Sequence, residues 1–99
     1  MMETFTLETF TPRLHSKFLF KYAPDGEMEM ELIEAEDVGS TPKQLQFSII
    51  FRGPRNVFLP QSMYPVKHDE IGEFNLFIVP INQDQDNYYY EAVFNRPIK

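Results

Sequence analysis

The sequence predicts an all-β fold: a compact antiparallel sandwich or small barrel of six to seven short strands with a short N-terminal helical element. Three observations predict it. Apolar and polar residues alternate with a period of two through most of the chain, as half-buried strands require. Clusters of proline, glycine, aspartate and asparagine punctuate that alternation at short, regular spacing. Only residues 3–14 carry a helical spacing, with Leu7, Phe10 and Leu14 on one face.

In that opening stretch Thr6 is placed to cap a helix, and Pro12 prevents a long one while allowing a second turn to begin. From Lys17 the period becomes two, with Phe18, Phe20 and Tyr22 on one side. Ala23-Pro24-Asp25-Gly26 is a turn in which proline presets the backbone and glycine accepts a left-handed conformation. The next strand, residues 27–35, alternates Met28, Met30 and Leu32 with glutamates. A three-residue loop would pair Ala23 with Glu27, Tyr22 with Met28, Phe20 with Met30, Phe18 with Leu32 and Lys21 with Glu29.

Residues 37–42 read as a loop. A third strand follows with Leu45, Phe47, Ile49 and Phe51 inward and Gln46, Ser48 and Arg52 outward. Ile50 breaks this alternation, so the strand is covered on both faces near its end. Residues 53–56 break the strand, and residues 57–59 read as a short returning strand. Pro60 and Pro65 then bracket an edge strand or a bulge. Residues 74–81, Phe-Asn-Leu-Phe-Ile-Val-Pro-Ile, are apolar on both parities, which implies burial on both faces or one face plus a partner. After a polar loop at residues 82–87, the last strand puts Tyr88, Tyr90, Ala92 and Phe94 on one side and Tyr89 on the other.

Composition bounds the rest. The 99 residues are 42% hydrophobic and 15% aromatic, enough for one core and one domain spanning residues 1–99. With no cysteine there is neither a disulfide framework nor a thiolate metal site. The start carries no signal-peptide pattern and no apolar run reaches membrane-span length, so a cytoplasmic protein is expected. The formal net charge of -6 comes from one segment holding Asp25, Glu27, Glu29, Glu31, Glu34, Glu36 and Asp37. Such a chain repels nucleic-acid phosphates and anionic membranes, so neither is expected as a partner. The glutamate row stands about 7 Å apart on a strand, unlike the curled loops that bind calcium. It reads as a solvated outer face, or as a surface for a basic protein.

Catalytic constellations are missing from the pattern. His68 lies in a turn-like Lys67-His68-Asp69-Glu70 context, and the other histidine, His15, is in an unrelated segment. No serine sits in a glycine elbow, and Gly53 is followed by Pro54, which lacks the N–H of a phosphate loop. No catalytic residue, cofactor or metal is therefore expected. The residues that could form an interaction or ligand surface are Arg52, Arg55, Phe58, Gln61, Met63, Tyr64, His68 and Tyr89. Arg52 and His68 are better suited to fastening the crossing between strands at residues 47–72 than to catalysis.

Several short motifs recur in order: Phe51-Arg52-Gly53-Pro54, Leu59-Pro60-Gln61 with Tyr64, His68 with Gly72, Leu76-Phe77-Ile78-Val79-Pro80-Ile81, and Tyr90-Glu91-Ala92-Val93-Phe94-Asn95. With Leu7, Phe10 and Glu31-Leu32, this set resembles a family of small bacterial domains of unknown function. The resemblance implies a bacterial, all-β, stand-alone module with no catalytic residues to carry over. It also implies a setting beside phage-tail-collar-like proteins, hence a part in a tail-like or surface-fibre assembly. The chain departs from the family pattern at residues 55–58 and 88–90. The expectation is a non-enzymatic structural or interaction module with a protein partner, either itself or a tail- or collar-like protein. The alternative is a small-ligand-binding β-domain or minor enzyme with a site around Arg52 and His68, drawing on Gln61, Tyr64 and Glu91.

Overall fold

A computed structural model describes residues 5–97. A four-residue helix α1 (Leu7–Phe10) runs into a 3-10 turn (Thr11–Arg13), and six strands follow: β1 (Lys17–Ala23), β2 (Gly26–Asp37), β3 (Gln44–Pro54), β4 (Ser62–His68), β5 (Gly72–Gln83) and β6 (Asn87–Pro97). They close an antiparallel barrel in the order β1-β2-β3-β6-β5-β4. The barrel alternative is therefore the correct one, with six strands. Closure removes the free sheet edges that a sandwich would have to guard.

The barrel is two three-stranded meanders, each built on a long middle strand that changes partner. In β2, residues 26–31 pair with β1 and residues 31–37 with β3, with an irregularity between Leu32 and Glu34. In β5, residues 72–78 pair with β4 and residues 79–83 with β6, with an irregularity between Pro80 and Asn82. An extra residue in each middle strand bends it, which lets a short sheet curl into a barrel. The meanders meet along two seams of unequal length. β3 and β6 pair throughout, from Gln44↔Pro97 to Pro54↔Asn87. β1 and β4 pair at Leu19↔Lys67 and Phe20↔Val66.

Inward-facing residues fill the interior. Phe18, Phe20, Met30, Leu32, Phe47, Ile49, Phe51, Ile78, Tyr90 and Ala92 are all buried. The N-terminal element plugs one end. Thr6 N–H donates to Thr9 Oγ1 at 3.0 Å, and Pro12 opens the 3-10 turn, so both local signals act as expected. A helix of four residues has no stability of its own; packing holds this one. The Phe10 ring lies 6.1 Å from Phe47 and 5.5 Å from Phe94, and Phe5 lies 5.1 Å from Phe74. The opposite end is crossed by residues 55–61, because β3 and β4 are not neighbours. Leu59 is buried there, and its N–H donates to Tyr90 Oη at 3.1 Å.

Five expectations are corrected. The β1–β2 hairpin turns on Pro24 and Asp25 alone, with Ala23↔Gly26, Lys21↔Glu27, Phe20↔Met28 and Phe18↔Met30. The register is thus displaced by two residues, which keeps the side chains up to Lys21 on their expected faces because the side-chain period is also two. Gly26 is not among the positive-φ glycines; a Cβ there would come 2.7 Å from Tyr22 Cε1, the far end of a partly exposed ring. Tyr22 sits at the hairpin irregularity and is 39% exposed instead of inward. Residues 57–59 form no strand, because they span a barrel mouth where no neighbour offers a ladder. Ser48, expected outside, is buried.

Candidate functional site

His68 closes β4 and is 7% exposed. Its Nδ1 accepts the backbone N–H of Glu70 at 3.0 Å and of Ile71 at 3.4 Å. An accepting Nδ1 is unprotonated, so in the neutral ring Nε2 carries the hydrogen. Nε2 therefore donates to Ser16 Oγ, 2.9 Å away, and Ser16 Oγ donates to the Arg13 carbonyl at 2.6 Å. The pair looks like a serine and its base, but the polarity is reversed: a base must accept the serine proton. The ring also packs 4.3 Å from Phe18. Burial is the main influence on its pKa and pushes it down; Glu70 and Asp69 oppose that shift and Arg13 adds to it. His68 ties the β4 end to the segment entering β1.

Arg52 stands on the outer wall. Its Nη2 donates to Glu31 Oε1 at 2.6 Å, and His15 Nδ1 lies 3.1 Å from the other carboxylate oxygen. The hydrogen bond from Arg52, reinforced by His15, holds the Glu31 carboxyl below its usual range. Tyr89, the ladder partner of Arg52, donates its hydroxyl to Asp84 Oδ2 at 2.6 Å. That carboxylate raises the Tyr89 phenol and is itself lowered by the bond. Arg55 bonds the Asp84 carbonyl and lies 4.9 Å over the Tyr88 ring, against which Phe58 packs at 5.1 Å.

The residues singled out by sequence do not converge. Arg52 faces outward from β3, whereas His68 is buried at the β1–β4 seam with β2 and β1 between. Three interstrand spacings put them about 14 Å apart around the wall. Tyr64 is buried toward the far end, where its hydroxyl donates to the Pro60 carbonyl at 2.6 Å, and Gln61 is exposed beside it. Glu91 lies on β6 between Ile50 and Val79. Two shallow outer grooves flank the seam, of about 690 Å³ beside Ser16, Lys17 and His68 and about 610 Å³ beside Lys21, Pro65 and Phe74. Among the described residues no group of His, Asp and Glu is placed to hold a metal, and no helix is long and apolar enough to cross a membrane.

The outer wall of β4–β5–β6 carries a different feature. Met63 and Phe77 are ladder partners, 57% and 46% exposed, and Val93 on β6 is 61% exposed. Ile81, also exposed, continues the row at the bend of β5. Met63 was singled out by sequence. Phe77 and Ile81 were signalled by the double-parity apolar run of β5, and Val93 was missed, because alternation on β6 made its outer residues look incidental. Glu73 and Glu91 lie on the same strands and Asp84 and Asp86 in the β5–β6 loop, with Lys67 paired across the ladder to Glu73 and Arg55 bonded to the Asp84 carbonyl.

No curated protein and no solved structure matches the chain. A family of domains of unknown function matches residues 5–94, which take in all six strands except the last residues of β6. The plugging helix and almost all of the barrel thus lie within that match, and the chain belongs to that family, the domain of unknown function DUF6916.

Proposed function

We propose that the chain is a non-enzymatic interaction module, an accessory part of a larger bacterial or phage-derived assembly of the tail-like or surface-fibre kind. The observation that carries this reading is the exposed apolar row Met63, Phe77 and Val93 on the β4–β5–β6 wall. Large apolar side chains grouped on one face of a barrel whose interior is already filled serve contact with another surface. The acidic rim defines the partner: a protein face with an apolar centre and lysine or arginine around it. The tail-like setting rests on the family resemblance alone.

A small-ligand site around Arg52 and His68 needs both residues in one cleft. They face different sides of the wall, and each is engaged by its own partners.

Co-purification from the native cell, paired with a light-scattering mass, tests the reading. Wild type is expected to bring down a basic partner at stoichiometric amounts, and Phe77→Glu, folded by circular dichroism, is expected to lose it. A strictly monomeric chain with no partner at native levels overturns the proposal. So does a partner retained undiminished by Phe77→Glu.

A further inference from the structure

We infer that the β1–β4 seam is the line along which this barrel opens, and that His68 is a clasp on that seam which acid releases. This goes beyond the interaction reading and does not depend on it. The seam has two ladder rungs, Leu19↔Lys67 and Phe20↔Val66, against a ladder running the whole length of β3 and β6. Beyond Phe20 the register would bring Lys21 opposite Pro65, which has no N–H to offer, and pairing ends there.

At the plug end the short seam is supplemented by side chains. Ser16, just before β1, and His68, the last residue of β4, meet at 2.9 Å. Arg13 runs parallel to that link: its Nε donates to Glu70 Oε1 at 3.1 Å, and its Nη1 donates to the Thr9 carbonyl at 2.8 Å. Helical turn, β1 and the β4–β5 turn are thereby held as one unit.

Nε2–H can donate to Ser16 in either charge state, but the turn side of the clasp, where Nδ1 accepts the Glu70 and Ile71 amides, works only with a neutral imidazole. A protonated ring has two N–H groups and no acceptor, so Nδ1–H would point at the N–H groups of Glu70 and Ile71. Both amides, partly buried against the ring, would lose their acceptor. Relief requires residues 69–71 to move, and that movement carries Glu70 away from Arg13. The charged groups around the ring are Arg13 from the 3-10 turn, Asp69 and Glu70 from the β4–β5 turn, and Lys17, Lys67 and Glu29 along the adjoining groove. The nearby carboxylates favour protonation, but burial, with Arg13 acting in the same direction, outweighs them, so the ring is held neutral at neutral pH.

Amide hydrogen exchange followed by NMR tests the inference, with protection factors compared at about pH 7.5 and about pH 5, either side of an ordinary histidine pKa. Of the Leu19↔Lys67 and Phe20↔Val66 rungs, the one whose amides donate across the seam is expected to lose protection on the order of tenfold at the lower pH. The β3–β6 amides should keep theirs. In His68→Asn, whose side-chain oxygen can still accept the two turn amides but does not titrate, the acid effect should vanish. Equal loss in β3–β6, no loss at the seam, or an undiminished acid effect in His68→Asn each overturns the inference. The wild-type chain supplies a check independent of the variant's folding. The seam loss must follow the His68 ring resonances and not those of His15; tracking His15 instead also overturns it.

Discussion

Gly53 and Gly26 each lie beneath a neighbouring side chain, yet the same substitution should affect them differently. A Cβ at Gly53 would come 2.5 Å from Met30 Sδ and 3.0 Å from Met30 Cγ, and Met30 is fully buried among aromatic rings. Gly53→Ala is therefore expected to lower stability by about 1–3 kcal/mol as an overpacked core. A Cβ at Gly26 meets the Tyr22 ring, but that ring is largely free to swing into water. Gly26→Ala should cost less than about 0.5 kcal/mol, the usual range for a surface change. Urea midpoints of the two variants side by side settle the contrast. Tyr90→Phe deletes the buried acceptor of the Leu59 N–H and is expected to cost about 1–3 kcal/mol, the penalty of an orphaned buried donor.

His68 belongs to the same scale and fixes the sign of an acid dependence. Its folded-state pKa is lowered, chiefly by burial, so the unfolded chain takes up the proton first as pH falls. Above the unfolded value of about 6.5 both states are neutral and the residue adds no slope. Below it, stability is lost as pH falls toward the lower folded value. Denaturation midpoints measured across that window should decline with acid in wild type and decline less in His68→Asn; parallel curves would contradict the assignment.

Among the elements, α1 and the 3-10 turn show how little local propensity has to do with this helix. Four residues cannot hold a helix in water, so the element exists because Phe10 completes the end of the core against Phe18, Phe47 and Phe94. Phe10→Ala should cost about 3–5 kcal/mol, the range for emptying a large aromatic site. The helical turn is expected to fray while the β3–β6 ladder persists, which exchange protection reports residue by residue. Loss of the ladder together with the turn would show the plug to be inseparable from the barrel.

Across the whole molecule the imbalance of fifteen acidic and nine basic residues opposes compaction. Raising sodium chloride from a few millimolar to about 0.15 M, where the Debye length is about 8 Å, should raise the melting temperature by a few degrees. A fall in melting temperature would mean that the exposed pairs, such as Arg13–Glu70 and Arg52–Glu31, outweigh the net repulsion. Charge and apolar surface are also unevenly placed. The outer wall of β1–β2–β3 carries the glutamate row, whereas the β4–β5–β6 wall carries Met63, Phe77 and Val93. One wall is acidic and the other carries exposed apolar side chains.

The sequence by itself determined the period-two strands, the inward set from Phe18 to Ala92, a break at Pro24-Asp25 and another within residues 82–87, where the structure leaves only residues 84–86 outside strands, and the all-β class. Each of these follows from what neighbouring residues in the chain allow. It also signalled apolar residues on the outer face of β5, because residues 74–81 are apolar on both parities. The tertiary structure alone decided which strands meet. The β1–β2 register escaped by two residues because faces repeat every two and the pattern fits both alignments equally well. The barrel order was hidden because β3–β6 and β1–β4 contacts join distant parts of the chain. The pairing of His68 with Ser16 was hidden for the same reason: 52 residues separate them, and only closure of the barrel brings the end of β4 back to the beginning of β1.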